Sequence, residues 1–326
     1  MGSRVARPPS ASVYRRRRLA AVAALAVVLA AAIVVLLGAG GDDPARTADT
    51  RPAEGAPPAK QAPPPPELPR GGREIFPGQR VVAFYGAPQA DELGILGMGT
   101  PTRAGRRLLR QAKPYERKTR PVLPAMELIA VIANAHPGED GRYNSRQPDA
   151  TIERYLKAAR KIKALLLLDI QPGRSDFFTE TTRLEKWLKE PDVGLAIDPE
   201  WRMSPGQVPG QVIGHVGSRE VNATSAWLAQ LVKRNNLPQK LFVIHQFTDD
   251  MVPERALKPR PELAMVLNAD GFGTQLLKRQ KYHAFTRNDP KAFHQGFKLF
   301  YREDTDLMTP RQTLALQPPP DLVVYE

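Results

Sequence analysis

The chain has no cysteine among its 326 residues. That absence excludes a disulfide scaffold, a Cys-ligated zinc or iron–sulfur site, a cysteine nucleophile and lipid attachment to a thiol. The sequence also lacks a P-loop, a Gly-x-Gly-x-x-Gly dinucleotide motif and a Gly-x-Ser-x-Gly nucleophile motif. Nucleotide-dependent chemistry is therefore not expected, and we predict no cofactor.

Charge is absent from the segment Leu19–Gly40, which consists almost entirely of Ala, Val, Leu and Ile. A helix of its 22 residues would be roughly 33 Å long, enough to cross the hydrocarbon core of a bilayer. The arginines Arg15–Arg18 precede it, and positive residues favour the cytoplasmic side. We predict a cytoplasmic segment at residues 1–18, an uncleaved signal-anchor at residues 19–40 and a single-pass cell-membrane protein whose C-terminal domain is extracytoplasmic. The alternative is secretion after cleavage of a signal peptide near Gly38–Gly40.

Residues 41–75 are rich in proline, including Pro63–Pro66, and mix Ala, Gly and both signs of charge. This composition favours extended polyproline II over a packed core. We therefore predict a disordered, Pro-rich linker here and place the folded domain at residues 76–326.

The formal net charge is +13, and six arginines lie within the first 18 residues. The rest of the chain shows neither a clustered basic face nor a nucleic-acid-binding motif. We therefore expect no nucleic-acid partner. Attraction to an anionic envelope polymer or to a lipid surface is the simpler consequence of the basic balance.

Eight short runs rich in β-branched, Leu and aromatic residues recur after residue 75. Most are apolar on both faces, which is typical of parallel strands covered by helices. The predicted strands are Val81–Gly86, Met126–Ala133, Leu165–Gln171, Gly194–Trp201, Leu241–Phe247, Ala264–Ala269, Gly296–Tyr301 and Leu322–Tyr325.

Amphipathic helical patterns lie between several of these runs. They are Thr151–Ala164, Phe177–Lys189, Val221–Asn235 and Thr274–Lys281. Alternation of helices with eight strands over 251 residues matches a (β/α)₈ TIM barrel in count and length. Between the fifth and sixth predicted strands, Pro253, Pro259 and Pro261 leave room for a helix of about two turns. A doubly wound open parallel sheet is the alternative fold.

In a (β/α)₈ barrel the active site lies at the carboxyl ends of the strands. Polar and aromatic residues at these predicted ends are therefore candidates. The substrate-binding candidates are Tyr85, Trp201, His245, Gln246, Asp270 and Tyr301, and the catalytic candidates are Asp169, Asp198 and Glu200.

Asp198 and Glu200 form the strongest pair. Because side chains alternate along a strand, we expect both to point to one side, with Cα atoms about 6–7 Å apart. Two carboxyl groups this close perturb each other's pKa, so that one can stay protonated as a general acid. Trp201 offers a flat face for a sugar ring. The structural alternative is that these acids cap the following loop or pair with Arg202.

The segment Gly194–Trp201 (GLAIDPEW) resembles the fourth-strand motif of family 18 glycoside hydrolases, the chitinases and endo-N-acetylglucosaminidases. The resemblance implies that Glu200 is the proton donor. It also implies that Asp198 orients a substrate N-acetyl group, which acts as the internal nucleophile. The layout of anchor, linker and domain resembles that of exported proteins of high-GC Gram-positive bacteria.

The chain departs from the family pattern at three places. Earlier acids of the motif fall on Val193 and Ala196, and only Asp270 corresponds to the family's Tyr-Asp pair at the sixth strand. We predict a membrane-anchored, glycoside-hydrolase-like barrel that acts on or binds a cell-envelope polysaccharide or peptidoglycan. A catalytically inactive binding or scaffolding module is the alternative that the departures leave open.

A metal-dependent hydrolase is a further alternative. Asp169, Asp198, Glu200, His245 and Asp270 are of ligand types that suit Mg²⁺, Mn²⁺ or Zn²⁺. The sequence has no His-x-His or His-Glu-x-x-His spacing. We therefore predict no metal site.

Overall fold

A computed structural model of the chain describes residues 64–253, 256–287 and 292–326. The predicted cytoplasmic segment, the predicted signal-anchor and most of the predicted linker lie outside these residues. Within the described ranges, no helix combines the length and the apolar character that crossing a bilayer requires.

Eight parallel strands form a closed barrel. The strands of the described residues are β1 (Arg80–Gly86), β2 (Val122–Ala133), β3 (Asn144–Arg146), β4 (Leu165–Ile170), β5 (Val193–Ile197), β6 (Lys240–Gln246), β7 (Leu263–Ala269), β8 (His294–Leu299) and β9 (Leu322–Tyr325). β1 pairs with β2 on one side and with β9 on the other, which closes the sheet. The short β3 is antiparallel to β2 and lies outside the ring. This closure overturns the open-sheet alternative and gives an α/β fold consistent with a TIM barrel.

All eight predicted strands occur in the barrel, although some ends differ. β2 begins at Val122 rather than at Met126. β5 ends at Ile197 rather than at Trp201, because Pro199 has no N–H for the ladder and residues Pro199–Trp201 form a 3₁₀ turn.

Helices cover the outside of the barrel. They are α1 (Pro101–Ala112), α2 (Asp149–Lys161), α3 (Phe177–Arg183), α4 (Glu185–Leu188), α5 (Ser218–Arg234), α6 (Gln275–Thr286) and α7 (Pro310–Leu314). The sequence pattern did not predict α1, which is rich in arginine. It buries only a narrow stripe, including Ala104 and Leu108, and a cap holds its start because the Thr100 side chain accepts the N–H of Arg103. The described part of the β6–β7 connection contains no α-helix.

Apolar side chains form two layers, one between strands and helices and one inside the barrel. Alternate strand residues such as Ala83, Leu167 and Val243 fill the interior. Leu68 and Ile75 belong to the same interior cluster and are buried.

Residues 64–75 therefore pack on the barrel, although their composition predicted a linker. Arg70 Nη1 donates to the carbonyl oxygen of Val122 (2.8 Å), and Arg73 Nη2 donates to that of Leu237 (2.9 Å). Both acceptors lie at the amino ends of strands, opposite to the ends that carry the polar residues. Composition alone did not predict this packing, because two buried aliphatic residues, Leu68 and Ile75, are enough to hold a short segment that is otherwise polar and proline-rich.

Candidate active site

A polar side chain from each of the eight strands points into the carboxyl end of the barrel, and we call this set the polar layer. Alternation explains it, because the residue two positions earlier is an interior apolar residue or, on β8, Gly296. The polar layer consists of Tyr85, Glu127, Asp169, Asp198, His245, Asn268, Lys298 and Glu326. All of these are buried except Glu326, which is partly exposed.

His245 lies between two carboxyl groups. Its Nε2 is 3.0 Å from Oε1 of Glu127, and its Nδ1 is 2.9 Å from Oδ2 of Asp270. The amide nitrogen of Asn268 is 3.3 Å from Nδ1. Burial opposes a charge on this ring, but Asp270 and Glu127 overcome it and hold the pKa of His245 well above its usual value.

Lys298 is the second buried cation of the site. Its ammonium nitrogen lies 2.7 Å from Oε2 of Glu326 and 3.5 Å from Oδ2 of Asp270. It also lies 3.7 Å from the centre of the Tyr85 ring, within the range of a cation–π contact. Although burial opposes its charge, Asp270, Glu326 and Asp198 raise the pKa of Lys298 above its usual value.

Tyr85 and Asp169 are hydrogen-bonded to each other within the polar layer. The Tyr85 hydroxyl donates to Oδ2 of Asp169 (3.0 Å) and accepts from Nε2 of Gln171 (3.1 Å). Burial raises the pKa of Asp169 to about 7; His245 opposes this rise and Glu127 adds to it. Burial and the neighbouring Asp169 carboxyl raise the pKa of Tyr85 well above its usual value.

Asp198 and Glu200 follow β5 and reach the same pocket. They do not lie on one strand face as predicted, because the strand ends first and the 3₁₀ turn carries Glu200. Both are buried, with 3% and 8% of their surface exposed. Burial, and then the charge of Glu200, raise the pKa of Asp198 well above its usual value.

A pocket of about 140 Å³ opens above the polar layer. Its walls combine carboxyl groups, two cationic side chains and aromatic rings. The lining includes Tyr85, Glu92, Gln171, Asp198, Glu200, Trp201, Asp270, Phe272, Lys298, Phe300, Arg302, Glu303 and Glu326.

Seven of the nine predicted site residues lie in this region. Five of them, Tyr85, Asp198, Glu200, Trp201 and Asp270, line the pocket. Asp169 and His245 are fully buried and bond to residues of the pocket wall, Asp169 to Tyr85 and His245 to Asp270.

Gln246 and Tyr301 are not brought to the pocket. Gln246 follows His245 along β6, so its side chain points to the opposite face of the strand. Tyr301 donates to Oε1 of Gln111 on α1 (2.9 Å) and stacks on Tyr325 at 5.3 Å between ring centres. Its ring therefore packs against the helix layer.

The site also contains four residues that the sequence pattern did not predict: Glu127, Asn268, Lys298 and Glu326. Glu127 and Lys298 each interrupt an otherwise apolar strand run. A buried charge is costly unless it is paired, so a charged residue inside such a run was the available signal. Asn268, near the end of β7, and Glu326, directly after β9, lie at the same level of the barrel as Glu127 and Lys298.

Glu127, Asp169 and His245 have ligand-type atoms that all lie within 4.8 Å of one another. Oε2 of Glu127 and Oδ1 of Asp169 are buried and, among the described residues, have no hydrogen-bond partner. Asp270 holds Nδ1 of His245, which is the second-shell arrangement found at metal-bound histidines. These three residues are therefore the ones that could hold a divalent cation.

Comparisons with known proteins assign no family. No family model matches the chain, and no curated protein matches it. One similar solved structure is titled "Adenylation, ketoreductase, and pseudo Asub multidomain structure of a keto acid-selecting NRPS module". It is 11% identical with a TM-score of 0.21, over 80% of this chain and 24% of that one. The chain thus spans about a quarter of that structure, and a TM-score this low carries no argument about fold or function.

Proposed function

We propose that this protein is a membrane-anchored glycoside hydrolase whose barrel acts on a polysaccharide of the cell envelope, peptidoglycan included. The observation that carries the proposal is the presence of Asp198 and Glu200 in one pocket at the carboxyl end of the barrel. The local resemblance of GLAIDPEW to the family 18 motif supports the same reading.

The electrostatics of this pair suit acid catalysis. Two close carboxyl groups do not both ionise easily, because the charge of one opposes the charge of the other. Burial and the charge of Glu200 raise the pKa of Asp198, so Asp198 holds a proton more readily than an exposed Asp does. In the proposed reaction a proton passes to the glycosidic oxygen as its bond to the anomeric carbon breaks, the oxygen of the substrate N-acetyl group bonds to that carbon, and water then opens this intermediate and returns a proton to the acid. The resemblance assigns that donation to Glu200, while Asp198 holds the N-acetyl group.

Aromatic rings of the pocket suit a sugar ring. Trp201, Phe272 and Phe300 line its walls, and rings of this kind bury large apolar faces. The carboxyl groups of Glu92 and Glu303 add hydrogen-bond acceptors for hydroxyl groups.

The test is release of reducing ends from N-acetylated glycans and peptidoglycan by the purified full chain in detergent. We expect Glu200→Gln and Asp198→Asn each to lower the rate by about 10²-fold or more, as for loss of a general acid. Glu153→Gln, on the exposed face of α2, is the control and should leave the rate unchanged. Unaltered hydrolysis by Glu200→Gln would overturn the proton-donor assignment.

The proposed location has its own test. We expect the full chain in the membrane fraction of intact cells, with its barrel digested by protease added outside. A mature protein that starts after Gly40 and appears in the medium would instead show a cleaved signal peptide. Retention in the cytosol would contradict both.

An inactive binding module is a second reading, favoured by Val193 and Ala196 where the family has acids. Calorimetry would then show glycan binding by the parent protein, without turnover over days. Absence of any glycan binding would exclude both carbohydrate functions.

A metal-dependent hydrolase is a third reading, favoured by the cluster of Glu127, Asp169 and His245. Metal analysis of protein purified without chelator would then find stoichiometric Zn²⁺, Mn²⁺ or Mg²⁺. Asp169→Asn should lose that metal and Asp198→Asn should keep it. Metal-free parent protein that still hydrolyses its substrate would exclude this reading.

A further inference from the structure

Helix α1 displays three arginines on one face, a basic cluster that the sequence pattern did not predict. Arg103, Arg106 and Arg110 are spaced so that they follow one another along the helix surface, and all three are exposed. No acidic residue occurs in the helix sequence PTRAGRRLLRQA. Like charges at this spacing destabilise an isolated helix, so local stability does not explain the arrangement.

These arginines also lack carboxylate partners. Within the described ranges, no Asp or Glu forms an ion pair with Arg103, Arg106 or Arg110, and their guanidinium groups donate no hydrogen bond. Some arginines elsewhere are paired: Arg146 reaches Glu180 at 2.7 Å and Arg160 reaches Asp192 at 2.7 Å. Among residues 64–253, 256–287 and 292–326, the positive charge of these three arginines is therefore not paired with a carboxylate.

A groove runs along this face, with a volume of about 550 Å³, and we call it the arginine groove. Its lining comprises Asp91, Met98, Gly99, Arg103, Arg106, Arg107 and Arg110. Arg107 fixes one wall, because its Nη2 donates to the carbonyl oxygens of Ile95 (2.9 Å) and Met98 (2.6 Å). Four guanidinium groups against one carboxyl group make this groove a site for an anion.

The arginine groove continues toward the pocket. Asp91 and Met98 also line a smaller depression together with Arg302, Glu303 and Glu326. Those last three residues line the pocket that holds Asp198 and Glu200. One extended chain can therefore lie along α1 and enter the pocket.

The two neighbouring sites differ in charge. The pocket wall has six carboxyl groups against two cationic side chains and therefore disfavours a negative sugar, whereas the arginine groove attracts one. We propose that the arginine groove binds the anionic groups, phosphate or carboxylate, of a glycan polymer whose neighbouring neutral sugar occupies the pocket. This substrate class rests on the proposed function, since it assumes that the pocket binds sugar.

The experiment measures binding of dextran carrying phosphate esters to the full chain in neutral detergent, with unmodified dextran of equal length for comparison. The test variant is Arg103→Gln/Arg106→Gln/Arg110→Gln. The control is Arg154→Gln/Lys157→Gln/Lys161→Gln on the exposed face of α2, which removes the same net charge.

We expect the α1 variant to bind phosphorylated dextran at least about tenfold more weakly and the α2 variant to bind it about as tightly as the parent. Parent binding should weaken as salt rises from about 0.01 M to about 1 M, over which the Debye length falls from about 30 to 3 Å. Unmodified dextran should bind both variants equally. The α1 variant should unfold at no lower urea concentration than the parent, because it loses like-charge repulsion.

Three outcomes overturn the proposal. The first is that the parent does not bind phosphorylated dextran at low salt, and the second is that the two triple variants lose the same affinity for it. The third is that this binding is lost when the protein is moved from neutral detergent into phosphatidylglycerol nanodiscs. The last would identify the arginines as a contact with the membrane surface.

The proposed hydrolysis fails separately from the arginine groove. If the α1 variant alone loses affinity while the parent hydrolyses no glycan, only the hydrolase proposal is refuted. If Glu200→Gln abolishes hydrolysis while both triple variants bind alike, only the arginine groove is refuted.

Discussion

The ammonium nitrogen of Lys298 lies 2.7 Å from Oε2 of Glu326, and this pair joins β8 to the residue that follows β9. Lys298 also faces Asp270 and the ring of Tyr85. It therefore contributes positive charge next to two carboxyl groups of the pocket wall. Its removal affects stability as well as the charge of the site.

We expect Lys298→Met to lower the free energy of unfolding by about 3 kcal/mol, because it removes the cation paired with Glu326 and one of the two cationic side chains that face Asp270, the other being His245. That is the lower end of the range for buried pairs, since the Glu326 side chain is 23% exposed. Urea unfolding measures the change. Lys157→Met is the control, because it breaks only an exposed pair with Glu153 on α2. Equal effects of the two substitutions would contradict a stabilising role for the buried pair.

Strand ends were predictable because long apolar runs stop at polar residues. This rule selected Asp169, Asp198 and His245 as strand-end residues, and the structure brings all three to one region at the carboxyl end of the barrel. It missed Glu127 because that charge lies within a strand and finds its partner, His245, only after the barrel has closed. Closure depends on the pairing of β1 with β9, two strands that are far apart in sequence. No local sequence pattern predicts such a contact.

Gly194 on β5 is packed so closely that no room remains for a methyl group. A Cβ there would lie 2.6 Å from Cδ2 of Leu167 and 2.7 Å from the carbonyl oxygen of Leu241. We expect Gly194→Ala to destabilise the fold by about 1–3 kcal/mol through overpacking. Gly78→Ala is the matched control, since nothing lies within 4 Å of its added Cβ. Thermal unfolding of both variants checks this, and equal midpoints would show that the barrel interior relaxes freely.

Lys240 gives the stability a pH dependence. Its ammonium nitrogen donates to the carbonyl oxygens of Glu190 (2.8 Å) and Val193 (2.7 Å), and burial lowers its pKa from 10.5 to about 7. Between these two values the unfolded chain holds a proton that the folded protein releases. This group's contribution to the free energy of unfolding therefore rises with pH from about 7 to about 10.5 and is constant below about 7.

The measurement is urea unfolding of the parent and of Lys240→Met at pH values from about 7 to about 9. We expect the parent to gain stability relative to the variant as pH rises, by up to about 1.4 kcal/mol per pH unit. Other titrating groups are common to both proteins and cancel in the difference. If the free energies of unfolding of the parent and of Lys240→Met changed in parallel with pH, Lys240 would keep its proton in the folded state.

The fluorescence of Trp201 provides a test of glycan binding in the pocket. It follows Glu200 in the 3₁₀ turn and lines the pocket, whereas Trp187 on α4 packs against the outer apolar layer. Because the chain has only three tryptophans, a glycan stacked on Trp201 should change the intrinsic fluorescence visibly. We expect Trp201→Ala to weaken glycan binding by about tenfold, the equivalent of roughly 1.4 kcal/mol of ring contact, and to abolish the fluorescence change. Trp187→Phe should keep both the affinity and the signal. A fluorescence change that survives in Trp201→Ala and disappears in Trp187→Phe would place the sugar outside the pocket. Glu200 would then lie too far from the bound glycan to donate a proton to it.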